Sequence, residues 1–202
     1  MRMFWFGPAW DSHTYWAVDL ETGGLDPKRD PILSVGMVPV REGAIRVGEA
    51  WTSLVRPGAG GAIDPDSITA HHLVPADVAN APSLRDVITA VDVRLRGGVL
   101  LVHQASIDVA FLKRAFASAG MDWPRLAVVD TVHLLVKVAE RARFLDPGAP
   151  DIDPEVNLAL SRKALGLPDY GHHDALTDAI STAELFLVLR KRLGARRLSD
   201  LR

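Results

Sequence analysis

Tyr15-Trp16-Ala17-Val18-Asp19-Leu20-Glu21-Thr22-Gly23-Gly24 begins as a short apolar run rich in β-forming side chains and stops at a threonine and two glycines. It reads as a buried strand that ends in a turn. The strand end carries two carboxylates, Asp19 and Glu21. Residues two apart on a strand project from one face, roughly 7 Å apart at Cα, so their oxygens can share a cation. Taken alone, the pair reads equally well as two solvated acids.

Working outward, Ile32 to Val40 and Ala50 to Val55 are further strand candidates. With the first strand they predict an antiparallel meander closed by the turn Arg56-Pro57-Gly58. The period then changes. Leu84, Val87, Ile88, Val91 and Leu95 follow a helical spacing with one buried face, stopped by Gly97-Gly98. Val99 to Val102 reads as a buried strand, Ile107 to Ala119 as a helix ended by Gly120, and Val128-Val129 as a short strand. Asp130 is placed to cap a helix running through Val138. Asp146 to Pro154, dense in proline and aspartate, reads as a surface loop, and helical patterns follow over Asn157 to Leu165 and Asp174 to Leu193. Strands followed by alternating helices and strands predict a mixed sheet with helices on its faces, an α/β or α+β arrangement.

The 202 residues suit one domain with a full core. Residues 1–14 form an aromatic N-terminal extension and 194–202 a basic tail. With 24% charged and 48% hydrophobic residues, a disordered or fibrous chain is excluded. The sequence has no cysteine, so any metal must sit on carboxylates or imidazoles, which suits a cytoplasmic enzyme using hard cations. The run Met3-Phe4-Trp5-Phe6 is broken by Gly7-Pro8, too short for a signal-peptide core, and no membrane span is expected. A formal charge of −2 lacks the broad basic surface of a duplex binder, so a nucleic-acid footprint should be small.

Two further places hold polar residues at element ends. Asp108 follows the strand Val99 to Val102 by the loop His103-Gln104-Ala105-Ser106 and opens the next helix, where an acid often serves only the dipole. Near the C-terminus, His172 and His173 precede a helix that carries Asp178. Positions five apart on a helix differ by about 140° in direction, so His173 and Asp178 converge only if His173 lies in the preceding loop. Gly171 makes such a loop plausible.

Three segments in order, Asp19-Leu20-Glu21-Thr22-Gly23-Gly24-Leu25, His103 to Leu112 and His173-Asp174-Ala175-Leu176-Thr177-Asp178-Ala179, resemble the three motifs of the DEDD exonucleases, the family of the proofreading exonuclease of bacterial DNA polymerase III. The resemblance runs from about Tyr15 to Leu187 and includes Asp130-Thr131 and the Ile63 to Pro82 segment. It implies a ribonuclease H-like exonuclease fold, with two divalent cations, Mg²⁺ or Mn²⁺, held by Asp19, Glu21, Asp108 and Asp178. His173, where other members have tyrosine, implies the histidine branch and the general base. The resemblance also implies Thr22 and Leu25 as contacts to the terminal nucleotide, although a turn threonine and a core leucine serve equally as readings. Three positions depart from the pattern: Gln104 stands where asparagine is usual, Ile107 where phenylalanine is usual, and His72 where glycine commonly follows histidine.

The partner so implied is a nucleic-acid 3′ end, DNA before RNA, with release of nucleoside 5′-monophosphates. An RNA-trimming exonuclease shares the same motifs, since only contacts to the 2′-hydroxyl separate the two. A non-catalytic module docked on a polymerase is a third reading, opposed by retention of all five polar residues. Neither Gly23-Gly24 nor Gly97-Gly98 supplies a dinucleotide-binding loop. Phe4, Trp5, Phe6, Trp10, Tyr15 and Trp16 either pack on the sheet edge or offer a surface to a polymerase or a second copy of the chain. Arg190, Lys191, Arg192, Arg196 and Arg197 read as a solvated basic end, with phosphate contact as the alternative.

Overall fold

The protein is described by a computed structural model covering residues 7–58, 61–146, 148, 153–171 and 174–202. Strand β1 (Tyr15–Thr22) pairs antiparallel with β2 (Ile32–Arg41), placing Asp19 opposite Gly36 and Thr22 opposite Ile32. Glu42 and Gly43, both at positive φ, turn β2 back into a two-residue strand β3 (Ala44–Ile45), and β4 (Trp51–Leu54) joins the same edge of β2 further along. On its other side β1 pairs in parallel with β5 (Val99–Val102), which pairs in parallel with β6 (Ala127–Asp130). The sheet is therefore mixed, in the order β3-β2-β1-β5-β6.

Alternation along β1 divides the core. Trp16 and Val18 face helices α3 (Leu84–Leu95) and α4 (Ala105–Ser118), whereas Tyr15 and Ala17 face α5 (Thr131–Leu145) and α7 (Ala175–Leu193). Asp19 and Glu21 continue the second series and so point toward α7. The parallel strands β1, β5 and β6 end at one edge of the sheet, the edge at which open α/β sheets gather their sites.

Helix α3 buries Val87, Ile88, Val91 and Leu95, the face that periodicity predicts. Helix α5 runs to Leu145, beyond the expected Val138. The segment after β4 contains two short helices that apolar periodicity does not reveal, α1 (Pro65–His71) and α2 (Pro75–Val78). The first is opened by the Asp64 carboxylate, which accepts from the Asp66 N–H, with Pro65 in the first turn. Helix α6 (Leu158–Ala164) is capped by Asn157. Of the expected Asp146–Pro154 loop, residues 147 and 149–152 lie outside the described residues.

Two of the departures from the family pattern fall on backbone with positive φ. Gln104 lies at φ 70° and His72 at φ 60°, in the left-handed region that asparagine and glycine tolerate better than longer side chains.

Phe4, Trp5 and Phe6 lie outside the described residues. Trp10 and Tyr15 are core residues stacked about Phe186 of α7. The basic end packs back on this cluster: the Arg190 guanidinium lies 4.2 Å from the Trp10 ring, the Trp10 N–H donates to the Arg196 carbonyl, and Leu201 is buried. Among the described residues no helix is long and apolar enough to cross a membrane.

Candidate active site

Three carboxylates converge at the sheet edge. Asp19, Glu21 and Asp178 each offer an oxygen, and these oxygens lie within 4.8 Å of one another. Glu21 and Asp178 are buried and Asp19 is half-buried. Asp108, also buried, enters from the first turn of α4. Of the neighbouring charges, that of Asp108 raises the Asp19 pKa most. Three of the four acids named from the sequence thus meet in one place, and the fourth, Asp108, lies near enough for its charge to act on Asp19 and Glu21. Asp19, Glu21 and Asp178 line a cavity of about 260 Å³, together with His103, Gln104 and Asn157 among others.

The approach of α7 depends on a residue that motif reading passes over. A Cβ at Gly36 would stand 2.2 Å from the Ala175 carbonyl carbon and oxygen. Only glycine lets the start of α7 rest on β2 directly beside Asp19, which brings Asp178 within reach of the β1 pair. The signal is visible as an isolated glycine inside an apolar strand, the mark of close backbone approach. The Asp174 carboxylate caps α7 by accepting from the Thr177 N–H, and so starts the helix at Ala175. His173 therefore precedes the helix in sequence, as its proposed role requires; His172 and His173 themselves lie outside the described residues.

Arg162 of α6 holds the approach to this segment. Its fully buried guanidinium donates to the Ser181 carbonyl at 2.8 Å, to the Pro168 carbonyl at 2.9 Å and to Glu184 at 2.8 Å, and lies over the Tyr170 ring. The Tyr170 hydroxyl donates to the second Glu184 oxygen. A buried charge so fully bonded ties the 168–170 chain to α7.

Asp130 positions Asp108. Its carboxylate caps α5 by accepting from the Val132 N–H, as expected, and also accepts from the Gln104 and Ala105 N–H groups at 3.0 and 2.9 Å. One side chain thereby fixes the start of α4 and α5 together. His103, which was not singled out from the sequence, borders the cavity. Its Nε2–H donates to the Val156 carbonyl, and its Nδ1 accepts from the Thr131 hydroxyl at 2.7 Å. Burial holds its pKa below the usual imidazole value, so it is neutral.

The turn after β1 is tied down from α1. The Leu73 N–H donates to His71 Nδ1, which leaves Nε2–H to donate to the Thr22 carbonyl at 3.1 Å. The Thr22 hydroxyl donates to the Gly24 carbonyl. Leu25 is 81% exposed at the turn, so it is not a core leucine.

The electrostatics are those of a cation site. Burial, then the charges of Asp108, Asp178 and Glu21, raise the Asp19 pKa well above the carboxylate range. Burial, followed by the charges of Asp178, Asp174 and Asp108, pushes Glu21 to about 8. Burial pushes Asp108 to about 7, against the lowering effect of a backbone hydrogen bond. Buried acids that repel one another take up protons unless positive charge is supplied. An all-oxygen donor set suits Mg²⁺ or Mn²⁺ over softer metals.

A sheet of this order with carboxylates at the ends of its parallel strands defines a ribonuclease H-like nuclease architecture. The family model described as Exonuclease (RNase T) matches residues 17–186, and the chain belongs to that family. It is 32% identical over 94% of its length to a DNA polymerase III subunit epsilon-like protein of Rhodobacter capsulatus, and 26% identical over its whole length to a PolC-type DNA polymerase III of Thermotoga petrophila. It spans 25% and 14% of those relatives. Exonuclease I of E. coli, solved in complex with a dT13 oligonucleotide, shares the fold, with TM-score 0.75 and 18% identity over 90% of this chain and 42% of that one.

Proposed function

We propose that the chain forms a single exonuclease domain that hydrolyses the 3′-terminal phosphodiester bond of single-stranded or frayed DNA and releases nucleoside 5′-monophosphates. The observation that carries this reading is the convergence of Asp19, Glu21 and Asp178 with Asp108 beside them. These four carboxylates would hold two divalent cations. Such cations supply neutralisation of the phosphoryl charge and a lowered pKa for the attacking water.

The chain's own residues do the rest. His173, one residue before the cap of α7, takes the proton of the attacking water while the bond from phosphorus to the 3′ oxygen breaks. Leu25, exposed at the turn, offers an apolar surface to the terminal base, and Thr22 holds that turn closed. The preference for DNA is supported by the polymerase relatives and by the oligonucleotide in the exonuclease I complex. The same relatives support association with a DNA polymerase.

The test is to incubate the protein with matched 5′-labelled DNA and RNA oligomers and Mg²⁺ or Mn²⁺, then resolve the products. A ladder that shortens by single nucleotides on DNA is expected. Faster loss of RNA would overturn the DNA assignment, and no cleavage of either would overturn the enzyme.

A further inference from the structure

On the other face of the sheet, beside the α3–α4 layer, lies a second cleft of about 310 Å³. Its floor includes Ile32, Val55 and Phe111, and its rim carries Arg29, Arg56 and Arg114. Among the described residues of its lining the one acid is Asp30, whose carboxylate already accepts the Asp26 N–H. A concentration of cations over an apolar floor stands out in a chain of formal charge −2.

The arginines are available. Arg114 Nη1 donates to the carbonyls of Pro27 and Asp30 at 2.7 and 3.1 Å, which pins the guanidinium to the cleft wall. With both Nη1 protons so used, the three N–H groups on Nε and Nη2 remain for an acceptor. Among the described residues, Arg29 and Arg56 make no side-chain hydrogen bond or ion pair.

The cleft lies close to the carboxylates along the chain path. Ile32 in its floor pairs with Thr22, next to Glu21, and the Gly23 N–H donates to the carbonyl of Pro31, another lining residue, at 2.8 Å. Along the chain, the 23–31 turn, with Leu25 exposed on it, joins the two. A polyanionic strand whose end enters a nest of acids needs cations further along; Arg29 stands on the turn that follows β1, and Arg56 and Arg114 line the same cleft.

We propose that this cleft seats a nucleotide unit, with its phosphate on the arginines and its apolar ring faces on the floor. It takes a unit of the same strand, upstream of the 3′ end. A volume near the low end of the ~300–1,000 Å³ typical of ligand sites suits one such unit. The assignment to the strand rests on the exonuclease reading above; the cation-lined cleft does not.

The test compares the wild-type chain with the double variant Arg29→Ala/Arg56→Ala, both checked for folding by circular dichroism. Binding of dT3 and dT20 is measured in EDTA across a salt series, so that hydrolysis plays no part. The variant should bind dT20 on the order of tenfold more weakly at 0.15 M salt. Its slope of log affinity against log salt should fall by about 1.4, or ~0.7 for each lost phosphate contact on a single strand. Unchanged affinity and slope would overturn the proposal. Equal losses for dT3 and dT20 would also overturn it, because the cleft would then not serve upstream units. Titration with thymidine 5′-monophosphate separates the sources: binding of the free nucleotide lost in the variant, with dT20 unaffected, would overturn the strand in favour of a mononucleotide site. Oligonucleotide binding by a chain that hydrolyses nothing would remove the exonuclease reading and leave the cleft standing.

Discussion

Removing divalent cations should destabilise the protein increasingly as the pH rises above 6.5. Glu21 keeps its proton to about pH 8 and Asp108 to about 7 in the fold, whereas an unfolded chain ionises both near pH 4. For an acid whose pKa is raised by folding, the associated stability is complete below the unfolded pKa and is lost as the pH rises through the folded one. Across pH 6.5 to 8, the folded Glu21 holds a proton that the unfolded chain does not, so stability falls by about 1.4 kcal/mol per pH unit, or about 2 kcal/mol in all. Asp108 adds roughly half a unit's worth before it ionises, and Asp19 works in the same direction. His103, whose pKa is lowered, acts oppositely but only below the ordinary imidazole value, which is why the window begins at 6.5. A loss of about 2–3 kcal/mol lowers the Tm of a chain this size by roughly 5–10 °C. Thermal melts at pH 6.5 and 8.5, in EDTA and in Mg²⁺, read the effect. The fall should appear in EDTA and largely vanish in Mg²⁺. Equal Tm values at both pH values in EDTA, or no rescue by Mg²⁺ at pH 8.5, would refute the electrostatic account of the site.

Gly36→Ala should lower the Tm and abolish nuclease activity together, because its Cβ meets the Ala175 backbone at 2.2 Å and displaces α7 from the β1 pair; an active variant with wild-type melting would show that the contact is soft. His173→Ala should slow hydrolysis by roughly 10²–10⁴-fold with Mn²⁺ binding by calorimetry retained, and His172→Ala should cost far less; the reverse ranking would identify the wrong imidazole as base. Gln104→Asn and His72→Gly should each stabilise by about 0.5–1 kcal/mol in urea unfolding by relieving left-handed backbone; destabilisation by both would mean that the native side chains make compensating contacts.

Some of this architecture is legible in the residues because one physical signal dominates. The apolar run of β1 stops at glycines, the stripe Leu84-Val87-Ile88-Val91-Leu95 has helical spacing, and Asp130 caps α5 as its position suggests, while Asn157 and Asp174, read as the first residues of helical patterns, are the caps of α6 and α7. The acids are legible for the same reason, as each sits at an element end. Helices α1 and α2 have too few residues for periodicity to register, and β3 is two residues made by the Glu42-Gly43 turn. The second role of Asp130, the locked imidazole of His103 and the burial of Arg162 are tertiary facts, since each depends on at least one partner 19 or more residues away. Gly36 is intermediate: its oddity shows in the strand, but its reason appears only when α7 lies across it.

The central claim is that the Asp19, Glu21, Asp108 and Asp178 cluster removes nucleotides from a free 3′ end. The most direct measurement follows Mg²⁺-dependent hydrolysis by the wild type and by a folded Asp19→Ala variant on four forms of one single-stranded DNA: linear, 3′-phosphorylated, 5′-blocked and circular. The account predicts that the wild type degrades the linear and 5′-blocked strands to 5′-monophosphates, slows sharply on the 3′-phosphorylated strand and leaves the circle intact, while Asp19→Ala degrades none. Rapid loss of the circle, or wild-type rates in Asp19→Ala, would contradict it.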